Sequence, residues 1–340
     1  MVLVTGGTGL VGAHLLLKLL QEGESIRATY RSIDSLQKTK NLFEIYNTQD
    51  LYEKIEWVEA DILDIPALEI AFEQVEIVYH AAALISFDPK DEEKLRKTNI
   101  EGTANIVNLA LDFGVKKLCF FSSIAAMGTP LASQNAVDET TEWVSEQPHS
   151  DYAISKHGAE MEVWRAFQEG LDCIILNPGI IIGPGFWDSG SGPLFQLTSQ
   201  QNSYYSIGTS GFISVLDVVQ VAIQLMKSDV KGESFCLIEE NYSYQEILYT
   251  IANAMNKKIP NQLLKPWMTT VAWRIDWLLS FFLNRKRILS KATAKSLHEK
   301  TTYLNHKIKN LGFEFQPILP YIKEVTLIYK SDAGLLSKIG

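Results

Sequence analysis

The sequence is poor in cysteine, with three in 340 residues. Cys119, Cys173 and Cys236 each sit inside an apolar run (KLCFF, LDCIIL, SFCLI). An odd, widely spaced set of this kind excludes a disulfide framework and reads as reduced core residues. Excess positive charge is missing too. A net charge of −9 excludes a general nucleic-acid binder, which would carry a basic balance or stripe. The chain opens on the strand-like run MVLVT, without a basic leader and a long apolar stretch behind it. No secretory signal is expected, and the expected compartment is the cytoplasm. Internal repeats and low-complexity tracts are absent. No metal site is expected.

A bilayer-spanning run is also lacking. The strongest candidate, PWMTTVAWRIDWLLSFFLNRKR (266–287), is broken by Arg274 and Asp276 and falls short of the roughly 20 apolar residues needed. It reads as a helix packed on the rest of the protein. Peripheral membrane contact and a substrate lid stay open as other readings.

Apolar residues make up 46% of the chain and charged residues 21%, enough for a substantial core in one large domain or two modest ones. Short apolar runs alternate with longer amphipathic ones through the first half. VLVT (2–5), SIRATY (25–30), IEWVEAD (55–61), EIVYHAA (76–82), KKLCFFSS (116–123) and LDCIILNPG (171–179) read as strands. Helical stretches lie between them, clearest at 10–21, 92–114 and 152–170. Strands separated by helices predict an α/β fold with a doubly wound parallel sheet covered on both faces. After Pro178 the chain turns rich in glycine, proline and serine, and from Tyr242 it reads as mostly helical. FISVLDVVQVAIQLMKS (212–228) reads as a short strand and helix returning to the sheet, followed by the strand ESFCLIEE. The expected division is a dinucleotide-binding domain of 1–178 plus 212–238, with a smaller, mostly helical substrate domain of 179–211 and 239–340.

TGGTGLVGAH (5–14) places Gly6, Gly9 and Gly12 between a strand and a helix. Glycines there let the chain turn tightly, approach a pyrophosphate and pack the helix close to its strand. The phosphates would face free N–H groups at the positive end of the helix. Tyr152 and Lys156, four apart in YAISK, share one face of a helix. A free tyrosine ionises near 10, and a nearby ammonium would bring it toward the working range.

These segments, in this order, resemble the extended short-chain dehydrogenase/reductase family. TGGTGLVG is similar to its TGxxGxxG loop, which implies cofactor contacts from Thr5, Gly6, Gly9, Leu10, Val11 and Gly12. Asp61 and Ile62 resemble the family's adenine-contacting acid and its neighbour; Asp61 also reads as a cap before a helix at 66–74. HAAA resembles the segment lining the cofactor, with Ala81, Ala82 and Ala83, and His80 reads as a core histidine. NPGIIIGPG resembles the segment beside the nicotinamide, with Pro178, Gly179, Ile180 and Ile181. The resemblance also implies an active-site serine in FSSIAAMG, Ser123 ahead of Ser122. It further implies that Tyr152 and Lys156 serve both catalysis and cofactor binding, and that Asn99 orders a proton-relay water. Asn99 equally reads as a residue that satisfies backbone groups.

IRATYR (26–31) is similar to the second-strand segment of the dihydroflavonol-reductase-like branch. Tyr30 stands where an NAD-selective strand end would carry a carboxylate, and Arg31, aided by Lys38, can hold a 2′-phosphate. The expected cofactor is NADP(H). The leading expectation is reduction of a ketone or aldehyde on a fairly apolar small molecule, or the reverse oxidation. Phe186, Trp187, Phe195, Tyr204, Tyr205 and Phe212 read either as an aromatic substrate wall or as core of the smaller domain. Two further readings stay open: an NDP-sugar epimerase or dehydratase, and a regulatory protein that binds cofactor without catalysis. A homodimer also stays open.

Overall fold

The computed structural model describes residues 1–130, 136–282 and 289–336. Seven parallel strands form the main sheet: β1 (Val2–Thr5), β2 (Ile26–Tyr30), β3 (Glu56–Glu59), β4 (Ile77–His80), β5 (Lys117–Phe121), β6 (Asp172–Pro178) and β10 (Glu233–Leu237). Their spatial order is β10-β6-β5-β4-β1-β2-β3. The chain therefore runs outward from β1 in one direction, then resumes at β4 and runs outward in the other. The sheet is doubly wound and of Rossmann type, and its crevice opens at the carboxyl ends of β1 and β4.

Strands in such a sheet are covered on both faces, which is why they are continuous apolar runs rather than alternating ones. On one face lie the helices Leu10–Gln21 and Val215–Lys227, burying Leu15, Leu16, Val218 and Ala222. On the other, Leu68, Ile106 and Val163 come from the helices Ile65–Phe72, Gly102–Asp112 and Asp151–Gln168. Truncating a buried leucine such as Leu16 to alanine typically costs about 2–5 kcal/mol. Two buried cations fasten helices to the sheet. Lys117 donates to the carbonyls of Leu225 and Ser228 at 2.8 and 2.7 Å, and Arg27 to those of Ala71 and Glu73 at 3.0 and 2.7 Å. Each satisfies carbonyls left over at a helix C-terminus.

Beyond Pro178 the chain builds a second layer. Strands β7 (Ile180–Ile182), β9 (Thr209–Ser214) and β11 (Glu240–Ser243) form a three-stranded sheet in the order β11-β9-β7. Two short strands, β8 (Tyr204–Tyr205) and β12 (Gln262–Leu263), pair beside it. The strand expected to return to the main sheet at 212 therefore belongs elsewhere. β9 pairs with β7 and β11, and only the helix after it and β10 rejoin the large sheet. The ESFCLIEE segment likewise divides into β10 and the start of β11.

Helices Tyr244–Met255, Pro266–Phe282, Lys291–Ser296, His306–Asn310 and Ile318–Leu336 complete this part. Phe195, Phe212 and Trp187 pack there with Ile247, Ile322 and Val325. The Trp187 indole also donates to Asp332 at 2.5 Å. Phe186 is buried against Ala13 and Leu42. The aromatic wall is thus mostly core: of the six side chains, only Tyr204 is exposed and Tyr205 half-buried. No described helix is long and apolar enough to cross a membrane. Positions 283–288 of the 266–287 segment lie outside the described residues.

Candidate active site

Every strand-end segment picked out in the sequence meets the crevice, because each follows the carboxyl end of a parallel strand. β1 ends in the glycine loop, β2 in Tyr30 and Arg31, and β3 in Ala60 and Asp61. β4 leads to Ala81–Ala83, β5 to Ser122 and Ser123, and β6 to Gly179.

The loop after β1 is compact. Gly6 has φ +72°, and a side chain there would meet the Ala82 nitrogen at 2.6 Å. A Cβ on Gly12 would stand 2.1 Å from the Gly6 oxygen, so helix and loop touch through bare backbone. The helix begins at Gly9 with no side-chain cap and no acid in its first turn. Its N–H groups at Leu10, Val11 and Gly12 and its positive dipole end are therefore open to an anion. Thr5 braces the floor: its hydroxyl is 2.7 Å from His80 Nδ1 and accepts from the Ala82 nitrogen at 3.3 Å. His80 reaches the Thr103 hydroxyl on its other side at 3.0 Å. Burial lowers its pKa to about 3, so it is a neutral core histidine.

At the adenosine end, Tyr30 packs edge-on to Trp57 and Arg31 is exposed. Asp61 accepts from the Leu63 nitrogen at 3.0 Å, making a local turn. The cap of helix Ile65–Phe72 is Asp64 instead, which accepts from Ala67 at 3.2 Å. Lys38 lies on the helix Ile33–Ile45 and is ion-paired with Asp188 at 2.6 Å. An uncapped helix start, a tight glycine turn and an unacidic end to β2 together fit a dinucleotide.

At the reacting end, Ser150 caps the helix Asp151–Gln168 by accepting from Ala153 at 3.1 Å, which sets Tyr152 in the first turn and Lys156 one turn on. Burial pushes the Tyr152 phenol up to about 12, against the opposing influence of the Ser123 hydroxyl beside it. Ser123 is half-buried and also accepts from the Ala125 nitrogen at 3.1 Å. Lys156 is buried, donates to the Phe121 carbonyl at 2.7 Å and lies 4.3 Å from the centre of the Phe120 ring. Burial lowers it to about 7, opposed by the Glu160 carboxylate one turn further on. For the protein's own groups, desolvation thus outweighs the opposing hydroxyl and holds the phenol in its protonated form.

Asn99 sits in a π-helical turn (Lys97–Glu101), and its amide is occupied. It accepts from the Leu84 nitrogen at 2.7 Å and donates to the Leu84 oxygen and the Ser155 hydroxyl, both at 2.9 Å. Its bonds clamp the irregular segment after β4 to the tyrosine helix.

Phe87, Ile85 and Glu160 escape a motif reading, as does the part played by Asn177 at the head of NPGIIIGPG. Phe87, half exposed, lies with its ring 5.6 Å from that of Tyr152, and Ile85 beside it is exposed. The only clue is the apolar run ALISF after HAAA. Glu160 is buried, and burial raises its pKa despite the hydroxyl of Ser122, the amide of Asn177 and the charge of Lys156. Asn177 donates to Glu160 at 2.6 Å and to the Ser123 carbonyl at 3.1 Å, joining β6 to the serine segment. The clue to Glu160 is its position four residues after Lys156. Among the described residues, no cluster of three metal-ligating side chains occurs.

Comparison with known proteins agrees with this geometry. A putative dihydroflavonol 4-reductase of Synechocystis sp. is 33% identical over 280 residues, covering 79% of this chain and 77% of that protein. Sterol demethylase protein B of Methylococcus capsulatus is 28% identical over 268 residues, covering 78% and 77%. The solved structure of gox2253 superposes with a TM-score of 0.79 at 24% identity, over 98% of each chain. Residues 2–237 match the model of the NAD dependent epimerase/dehydratase family, and the chain belongs to that family of NAD(P)-dependent reductases, epimerases and dehydratases.

Proposed function

We propose that this protein is an NADP(H)-dependent oxidoreductase that reduces a ketone or aldehyde on a fairly apolar small molecule, or oxidises the matching alcohol. The observation that carries the reading is the buried Tyr152 phenol with the Ser123 hydroxyl beside it and the exposed apolar side chains of Ile85 and Phe87 at its edge.

Each residue has a part in the proposal. The Ser123 hydroxyl accepts from the Ala125 nitrogen and lies beside the Tyr152 phenol, so its proton can turn to the substrate oxygen at the point where the tyrosine acts. Tyr152 stays protonated at neutral pH and gives its proton to that oxygen as the carbonyl carbon is reduced. The nicotinamide, when bound, supplies or takes up the hydride. Lys156 is anchored on Phe121 where a cofactor's ribose end would approach, and Asn99 keeps the tyrosine helix in register with the Leu84 backbone. Arg31 selects the 2′-phosphate. The first 178 residues and the helix and strand that rejoin the sheet carry the cofactor, and the rest shapes the substrate side.

The epimerase or dehydratase reading has the family model in its favour. Against it, positions 179–212 contain no lysine, arginine or histidine that could meet a nucleoside diphosphate. Turnover with NADPH and NADH against a panel of ketones, aldehydes, alcohols and NDP-sugars separates the readings. Carbonyl reduction with NADPH supports the proposal. Interconversion of an NDP-sugar without net cofactor consumption overturns it, as does cofactor binding without turnover of any member.

A further inference from the structure

The helix Pro266–Phe282 is inside out. Trp267, Val271, Ile275 and Leu278 fall at i, i+4, i+8 and i+11 and so form one stripe, with Leu279 alongside. That stripe faces away from the protein: Trp267 is 64% exposed, Ile275 52% and Leu278 48%. The opposite face turns polar groups inward, with Thr269, Asp276 and Ser280 at 3%, 8% and 1% exposure. These inward groups are accommodated. Thr269 lies 2.9 Å from His298 Nε2, Asp276 accepts from the Leu289 nitrogen at 3.1 Å, and Ser280 donates to the Trp277 carbonyl at 2.8 Å. A helix that hides its hydroxyls and carboxylate while exposing its tryptophan and branched aliphatics is matched to an apolar medium outside it.

Charge identifies the medium. From Lys257 to Lys295 the sequence has nine basic residues and one acid, Asp276, a net +8 within a chain of −9. Arg285, Lys286 and Arg287 of this group lie outside the described residues. Among the others, Lys295 is paired with Glu299, while Arg274 bonds to its own helix at Thr270 and lies 4.6 Å from the centre of the Trp273 ring. A symmetric dimer through this face would set the same basic group against itself. An anionic lipid surface attracts it, and the exposed Trp267 at the start of the stripe suits the headgroup level.

We infer that this protein docks peripherally on anionic phospholipid bilayers through the outward face of the helix Pro266–Phe282, lying in the plane of the surface. The inference does not depend on the substrate. It would place the enzyme where apolar small molecules collect.

Flotation of the full chain with vesicles tests it, using phosphatidylcholine alone and phosphatidylcholine containing one-third phosphatidylserine. The expected result is at least ~10-fold more protein on the anionic vesicles, falling as salt is raised. Ile275→Asp and Leu278→Asp should each reduce that fraction about 10-fold, because a carboxylate must enter the apolar boundary. Lys265→Glu combined with Arg274→Glu should reduce it on anionic vesicles only. Unchanged NADPH binding in each variant shows that the fold is intact. Absence from both kinds of vesicle overturns the inference, as does flotation insensitive to Ile275→Asp and Leu278→Asp. A concentration-dependent dimer in sedimentation that the same substitutions disperse, without flotation, assigns the face to a second copy and overturns it as well.

Discussion

Lys156 donates to the carbonyl oxygen of Phe121 at 2.7 Å, tying the ammonium of the tyrosine helix to the last residue of β5. Burial there lowers the lysine's pKa to about 7, with the Glu160 carboxylate opposing. The folded value lies below the unfolded one, so between about pH 7 and the ordinary lysine range the unfolded chain holds more protons. Stability attributable to Lys156 therefore rises with pH across that interval, at up to about 1.4 kcal/mol per pH unit. Urea unfolding at intervals from about pH 7 to about pH 9 should show this slope in the wild type and lose it in Lys156→Met. The three buried cysteines act in the opposite sense once unfolded thiols begin to ionise, above about pH 7.5, but equally in both proteins. The Lys156 slope is therefore read from the difference between wild type and variant, and staying below about pH 9 avoids the tyrosines. Parallel profiles for the two proteins would mean that Lys156 is charged throughout.

The Gly6–Gly12 contact makes a steric prediction. A methyl group on Gly12 would stand 2.1 Å from the Gly6 oxygen, so Gly12→Ala must push the loop from the helix. Overpacking of this kind costs about 1–3 kcal/mol, and the pyrophosphate cradle opens with it. Both the melting temperature and the affinity for NADPH should fall, the affinity by roughly 10-fold or more. A variant that melts lower yet binds NADPH normally would separate the loop from the cofactor.

Phe87 should matter to apolar substrates rather than to chemistry. Its ring edges that of Tyr152 and is half exposed, so it offers apolar contact that ground state and transition state share. Phe87→Ala should raise KM by roughly 5- to 30-fold, corresponding to about 1–2 kcal/mol, with kcat little changed. A fall confined to kcat would assign the ring to positioning Tyr152.

Arg31 is the proposed selector between cofactors. A charged contact to a 2′-phosphate is worth about 1.5–3 kcal/mol, or roughly 10- to 150-fold in affinity. Titrating wild type and Arg31→Ala with both cofactors should show NADPH weakened by that factor and NADH little affected. Equal wild-type affinity for NADH and NADPH would contradict the assignment. Lys38 is already paired with Asp188, so Lys38→Ala should have the smaller effect.

The parallel sheet and the segments at its carboxyl edge were legible because their signals are local: a glycine pattern between strand and helix, or a helical i,i+4 pair, needs only neighbouring residues. What depends on long-range packing was not. The run at 209–214 is a good strand, yet nothing in it says that its partners are Ile180–Ile182 and Glu240–Ser243 rather than the main sheet. For Phe195 and Phe212 the sequence left core and substrate wall both open, because burial is decided by the terminal helices, far along the chain. Asn99 could be placed in a helix, but its clamp on Leu84 and Ser155 arises only when the chain after β4 folds back. The lowered Lys156 and raised Tyr152 values likewise follow from burial, which local spacing does not report.

Tyr152 is proposed to carry the proton of a reduction through its hydroxyl, while its ring keeps whatever contact it makes with the cofactor. Steady-state kinetics of Tyr152→Phe, run beside an NADPH titration of the same preparation, tests it most directly. Losing the phenol while keeping the ring should lower turnover about 10²- to 10⁴-fold and leave NADPH affinity near that of the wild type. Near-normal turnover in the variant would contradict the account.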